Sequence, residues 1–584
     1  MSIDDRPLDT LQDAGLRERL LFRFKATALQ AKRGIQDALS SEIRRHRASA
    51  ALIDAPLLAE SITPLWTMLD GESPRLTAGK VHNLRRAVRA LDGIDIPANG
   101  VFSFWRQLGR ATRSHGYVEG RELRSGCLVP TTGGGLCQLS CALYEVAAQS
   151  GMQIIERYAH SQRLPGVDGF PQFDATVFWN YVDLRWRSPF ATRLQASLDA
   201  DHLIVRLHAH PPDRRKRIHS AVVDSVAEAE HAGTEHAIAV PVRDCESCDE
   251  TDCSRHQPRL PTARQTCVLI DERWPEFIAW LNQQPAGTSR AFVSWQPMRE
   301  SPADIRSVAQ LAALQSSIDM RIAQWRAQPA ARGRMRRDRR VAAAMARMID
   351  VDDRELVIAQ TLLPWLWNLG VLGGRRFDVL MTRAPMAQIH HLLEQARQHW
   401  PESRTLGDFR APTDLIDAET DALAHATRRI GSHPMWLCEN DLHLPWQLPN
   451  ATLSSAQRAP NQAARLLFPM TTLARNGACL LRDALRGTQR SLDLGGPVLE
   501  SADFWRGIDV QPLARSNWNE ATLALIPALL PSRPQAALAL IAAGIPILAT
   551  PEAGLDGLPG VRVASGDDPA QWRAAIAQML GEPA

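Results

Sequence analysis

Lysine is nearly missing from this 584-residue chain. It occurs only at positions 25, 32, 80 and 216, and arginine supplies the remaining basic charge. Beside abundant alanine, that skew points to base-composition bias rather than recognition chemistry. A one-signed surface is also lacking: the formal net charge is +3. This is too small for the length to point to nucleic acid, and none is expected as a partner. No run approaches the roughly 18 apolar residues of a membrane-spanning helix. The opening MSIDDRPLDT has neither a basic n-region nor an apolar h-region, so no signal peptide is read there. Nine cysteines in so long a chain, without a leader, point to reduced thiols and a cytoplasmic location rather than a disulfide framework.

What is present is an ordinary globular composition, 45% apolar and 22% charged. At roughly 100–200 residues per domain, the length suggests about three or four domains. Residues 1–95 read as a helical N-terminal region, because LRERLLFRFKATALQAKRGIQDAL spaces its apolar positions at helical intervals. Residues 96–210 read as an α+β domain. Its helix QLSCALYEVAAQSG is followed by strand-like IIERYAH, DATVFWNYVDLRW and HLIVRLHAH. Residues 211–262 hold a Cys/His-rich segment. Beyond 262 the pattern turns to βα alternation, which predicts parallel sheets. TCVLI, AFVSW, ELVIAQ, FDVLMT and MWLCE mark a first Rossmann-like domain over 263–460, and a second alternation fills 461–584. The arginine-rich stretch AARGRMRRDRR reads as a solvated helix face or linker. The fold class is thus multidomain, α/β together with α+β.

Chemistry is concentrated in TTGGGLCQLSCALYEVAAQSGMQIIERYAHS. Gly133, Gly134 and Gly135 lead into a helix whose first turn carries Cys137. Glycines let backbone N–H groups converge, and the helix N-terminus adds partial positive charge. Both favour a thiolate, and the loop with Gln138 offers candidate donors to an oxyanion. A nucleophile needs a base held by a third group. His160 ends the next strand-like segment and Asp174 begins the one after, so antiparallel pairing would set them side by side. The bland alternative has Cys137 and Cys141 as core, His160 as a strand cap and Asp174 as a turn residue.

FSFWRQLG, GYVEGREL, GGGLCQLSCALYEVAA, ERYAHS and DATVFWNYVDLRW resemble, in order, the signature blocks of the VanW family. The resemblance spans about residues 95–190. It implies a bacterial protein with a cell-envelope connection and brings no settled reaction with it. Gln138, Glu156, Arg157 and Ser161 fall in the same blocks, as candidate lining residues.

A second cluster lies in DCESCDETDCSRHQP. Cys245, Cys248, Cys253 and His256 stand as C-x2-C-x4-C-x2-H, a set able to close a tetrahedral zinc site. An iron–sulfur cluster and three plain surface thiols are the alternatives.

The C-terminal stretch from LLFPMTTLARNGACLLRDALRG to AAGIPILATPEAGL resembles the nucleotide-sugar half of two-Rossmann-domain (GT-B) glycosyltransferases of the retaining group-one type, over about residues 464–582. That resemblance implies a nucleotide-sugar donor and a glycan or envelope-precursor acceptor. Arg475 and Gly477 match its diphosphate-binding segment, and Gly544, Pro546, Thr550 and Gly554 match its donor-side turns. It departs at the family's paired glutamates, whose positions are Pro531 and Ala539 here. Active transfer, a non-catalytic metal-stabilised scaffold, and an iron–sulfur redox protein therefore all stand as readings. His433 and Asp378 are candidate polar groups in the cleft of the GT-B half.

Overall fold

The computed structural model describes residues 30–67, 74–160, 172–210, 265–294, 305–308, 330–450, 464–564 and 568–582, apart from positions 31, 38, 125, 126, 181 and 409. The chain forms two compact units. One comprises Met1–Arg264 with Asp350–Arg354 and Gly370–Arg375; the other holds the rest.

The first unit is built on antiparallel sheet. Strands β1 (Leu57–Pro64), β2 (Ile94–Ile96), β8 (Thr192–Leu198) and β9 (His202–Ala209) form a four-stranded sheet in the order β1-β9-β8-β2. Along β8 and β9 buried positions alternate with half-exposed ones. That is the period-2 pattern of a sheet with one face on a core. Strands β3 (Val101–Ser103), β6 (Gln153–Glu156) and β7 (Arg185–Arg187) make a second sheet, and β4 (Glu119–Arg124) with β5 (Cys127–Thr132) a hairpin. Helices Pro74–Leu91 and Leu136–Gln149 bury Leu84, Leu91, Leu139, Leu143 and Val146 in one core with Phe102, Trp186, Leu203, Val205 and Leu207.

The expected helical region 1–95 is therefore corrected. Its second half supplies β1, the helix Pro74–Leu91 and β2 to the same core as residues 96–210. The reason is plain in the register: β1 is an edge strand that needs β9, more than a hundred residues on, for its hydrogen bonds. DATVFWNYVDLRW is not one strand either. It makes bridges at Thr176 and Phe178, and only Arg185–Arg187 is a strand.

The second unit contains two parallel sheets. The first runs through β10 (Thr266–Ile270), β11 (Ser289–Val293), β12 (Ile305–Ser307), β13 (Glu355–Ala359), β14 (Arg376–Leu380), β15 (Arg428–Gly431) and β16 (Leu442–His443), in the order β12-β11-β10-β13-β14-β15-β16. The second runs through β17 (Leu466–Phe468), β18 (Ser491–Leu494), β19 (Asp509–Pro512), β20 (Leu523–Ile526), β21 (Ile547–Ala549) and β22 (Val561–Val563), in the order β19-β18-β17-β20-β21-β22. The second therefore runs 3-2-1-4-5-6, the doubly wound Rossmann order, and the first runs the same way with β16 added as a seventh strand at its edge. Every pairing is parallel, and the central strands are buried on both faces, as βαβ crossovers require. MWLCE, expected as a strand, begins inside the short 3-10 turn Pro434–Trp436, and the strand is the preceding RRIG. The arginine-rich stretch is helical, within Ala330–Ala346, and its Arg337 holds buried Asp271 through two hydrogen bonds.

Candidate thiol site and the donor positions of the second unit

The Cys137 helix begins at Gly135, whose φ of 98° is open to glycine but strained for other residues. A Cβ on Gly134 would stand 2.4 Å from the carbonyl oxygen of Gly120, and one on Gly135 would meet Lys80 Cγ at 2.2 Å. The loop is thus wedged between the hairpin and helix Pro74–Leu91. Buried Asn83 pins it, donating to Val118 O and Gly134 O while accepting from Val118 N. The glycines serve close backbone approach. Gly133 N–H and Gly134 N–H already donate to Val118 O and Thr131 O, so the expected oxyanion donors there are corrected. Gln138 is corrected for the same reason. Its amide donates to Thr63 Oγ1 at 2.9 Å and Pro64 O at 3.0 Å, and accepts from Lys80 Nζ at 3.0 Å. In the helix's first turn Gln138 N–H donates to Gly135 O, and the N–H groups of Leu136 and Cys137 are the ones a helix start leaves without an intrahelical acceptor.

The next wall is the segment 174–176. Cys137, Ser140 and Cys141 lie one helical turn apart and face it. Cys137 Sγ is 3.7 Å from Thr176 Oγ1, Ser140 Oγ donates to Ala175 O, and Cys141 Sγ accepts from Ala175 N at 3.3 Å. Cys141 is core: burial pushes its thiol up to about 12. Antiparallel bridging of Tyr158 with Thr176 sets the register that places His160 opposite Asp174. Asp174 Oδ1 meets His160 Nδ1 at 2.5 Å, and Asp174 Oδ2 accepts from His160 N at 2.7 Å. Both carboxylate oxygens therefore fix one histidine. Arg157 holds the same segment, donating Nε to Asp174 O at 2.6 Å.

Burial alone would depress the His160 pKa. Hydrogen bonds to Asp174 and to Cys137 outweigh it and raise the imidazole to about 10. Burial pushes Asp174 up, yet the hydrogen bonds from His160 hold its carboxyl below the usual range. With Nδ1 committed to Asp174, Nε2 is the ring atom left for Cys137. A thiol, an imidazole and a carboxylate are thereby brought together in that order. Ser140, Thr176, Lys80 and Asn83 were not read from the sequence. Lys80 carried one usable signal, as a rare lysine within a helix.

Cys245, Cys248, Cys253 and His256 lie outside the described residues, as does Ser161. Among the described residues no group of three or more His, Cys, Asp or Glu side chains is placed to hold a metal. No helix among them is long and apolar enough to cross a membrane.

In the second unit, ligands of a doubly wound sheet sit beyond the carboxyl ends of the strands at the switch point. Beyond β17 come Arg475 and Gly477; beyond β20 comes Pro527. Gly477 (φ 83°) presses on Pro527, where a Cβ would stand 1.5 Å from the carbonyl oxygen. Thr550 is 3% exposed and its hydroxyl donates to Ala528 O at 2.7 Å, so it ties two strand ends together. Gly544 and Pro546 precede β21 and lie at the amino ends of the strands, a correction to their expected donor-side position. Gly554 is covered by His433, whose ring would meet a Cβ there at 2.5 Å.

His433 is fully buried. Its Nε2 donates to Glu552 O at 2.9 Å, its Nδ1 accepts from Met435 N, and its ring stacks on Trp436 at 4.8 Å. Burial lowers it to about 4, and the bond to Glu552 only partly offsets that. His433 is thus a neutral structural latch. Asp378 is paired with Arg428. Where the glutamates are missing, Pro531 and Ala539 are buried, and nearby Arg533 reaches buried Glu276 at 3.2 Å.

A family model described as VanW like protein matches residues 79–208. Residues 79–208 therefore form a VanW-like domain. The chain is 30% identical over 158 residues to the vancomycin B-type resistance protein VanW of Enterococcus faecalis, covering 26% of this chain and 58% of that protein. It is 35% identical over 109 residues to the uncharacterized protein YoaR of Bacillus subtilis, covering 19% and 35%. The chain thus spans less than two thirds of the length of these relatives. Among solved structures, the calicheamicin glycosyltransferase CalG4 aligns over 55% of this chain and 91% of its own, at 12% identity and a TM-score of 0.26. Anabaena HepE in complex with UDP aligns over 54% and 90%, at 10% identity and a TM-score of 0.31. At such TM-scores the overlays say nothing of activity, and the Rossmann-like character of the second unit stands on its own two strand orders.

Proposed function

We propose that the VanW-like domain is a thiol-dependent acyl-transfer or amide-hydrolysing centre in bacterial envelope or surface-glycoconjugate metabolism. Cys137 is the nucleophile, His160 the proton carrier and Asp174 its orienter. The observation that carries this is the raised His160, held by both oxygens of Asp174 and turned toward Cys137. The attacking species is the Cys137 thiolate, whose proton His160 carries. The thiolate attacks the acyl carbonyl, an S–C bond forms, and the C–N or C–O bond breaks as His160 passes its proton to the leaving group. The N–H groups of Leu136 and Cys137 receive the developing oxyanion. Water or an acceptor amine or hydroxyl then takes the acyl group and returns a proton to His160. The test is a panel of acyl-peptide amides and esters, scored by mass spectrometry for a thioester on Cys137 in wild-type and His160→Ala protein. A thioester on Cys141 instead, or on neither cysteine, removes the proposal.

A second reading rests on the two Rossmann orders and on Arg475 beyond β17. Here the second unit binds a nucleotide sugar and passes the sugar to a glycan or envelope precursor. Calorimetric titration with UDP and UDP-glucose tests it. Binding tighter than about 1 mM, lost in Arg475→Ala, supports a donor site. Absence of binding leaves the unit as a scaffold.

A further inference from the structure

Resting on the nucleophile reading above, we infer that Arg157, seated on Tyr144, is a subsite for a carboxylate of the acyl substrate. The Arg157 guanidinium lies 5.0 Å over the Tyr144 ring, and Phe173 meets that ring edge-on at 5.9 Å. Its Nε is spent on Asp174 O. The two outer nitrogens have no partner among the described residues, while the side chain is only half-exposed. The carboxylates around it spend their hydrogen bonds elsewhere, although the Arg157 charge also helps hold the Asp174 carboxyl low. Asp174 binds His160, Glu156 pairs with Arg33 and Arg185, and Glu145 accepts from Ser61.

A guanidinium fixed by stacking and by one nitrogen keeps a planar, two-donor edge. That edge matches the two oxygens of a carboxylate. Its place follows from the helix. Tyr144 is seven residues after Cys137, two turns along the same face, or about 10 Å. An extended chain covers that in about three residues. The substrate class is thus an amide or ester bearing a carboxylate about 10 Å from the carbonyl that Cys137 attacks.

The probes are 6-maleimidohexanoic acid and its neutral primary amide, read by mass spectrometry of the Cys137 peptide in the full chain. Wild type should react about tenfold faster with the acid than with the amide. Arg157→Gln should bring that ratio to about one, and Arg157→Lys should restore part of the preference. Equal rates for both probes in wild type overturn the subsite and leave the nucleophile standing. If Arg157→Gln slows both probes equally, Arg157 only positions Asp174, and the subsite is again overturned. A Cys137 inert to both probes removes the nucleophile reading and this inference together.

Discussion

His160 and His433 belong to different units and meet opposite environments. Against the pull of burial, His160 is raised to about 10 because a carboxylate and a thiol face its two ring nitrogens. His433 is lowered to about 4 by burial among a carbonyl, a backbone N–H and two tryptophans, with no charge to pair against. One histidine is kept protonated beside a half-exposed sulfur, and the other is kept neutral in a packed joint. The glycines do not share this contrast: Gly134 and Gly135 are pressed by Gly120 and Lys80 as Gly477 and Gly554 are by Pro527 and His433, so in both units they serve close packing. What differs is the residue beyond them, since Cys137 stays half-exposed while Thr550 is buried and bonded to Ala528 O.

The sharpest way to break this contrast is His160→Ala. Removing a positioned acid–base group should cost about 100-fold or more in acyl transfer at Cys137, while unfolding of the second unit stays unchanged. Arg533→Ala is the mirror experiment. It strands Glu276, 1% exposed, and should cost the second unit about 3–5 kcal/mol in calorimetric unfolding, with Cys137 chemistry unaffected.

The pH dependence separates the two histidines by sign. Unfolded His433 takes up a proton below its usual 6.5, which the folded form refuses until about 4. Stability of the second unit should therefore fall by about 3 kcal/mol across that window and level off below it. His433→Gln should flatten this slope. The His160–Asp174 pair runs the other way. Its contribution is complete below 6.5, decays as pH rises toward about 10, and is also lost in acid as Asp174 protonates. The smallest expected effect is Thr176→Val, which removes a hydroxyl 3.7 Å from Cys137 Sγ and should change its alkylation rate by less than about tenfold.

Much of this was legible because local pattern and global role coincide. GGG before a helix, His160 ending one segment and Asp174 opening the next already imply the register that Tyr158–Thr176 bridging sets. The βα alternation also survived, since parallel strands such as TCVLI are continuous apolar runs. Other features depend on distant residues. β1 looks like part of a helical region until β9 is placed beside it. RRIG hides a buried strand behind two arginines, while the apolar MWLCE draws the eye from it. The roles of the glycine N–H groups and of the Gln138 amide could not be read, because their acceptors at Val118, Thr131, Thr63 and Pro64 come from other elements.

The central claim is that Cys137 is a poised nucleophile, and the pH profile of its alkylation by iodoacetamide tests it most directly. The account predicts that the Cys137 rate stays nearly flat from about pH 9 down to about pH 6, well below the ordinary thiol value of about 8.5. In His160→Ala it should instead fall about tenfold per unit below 8.5, as for an unassisted thiol. A Cys137 that behaves like exposed Cys438 in wild type, or that ignores the loss of His160, contradicts the account.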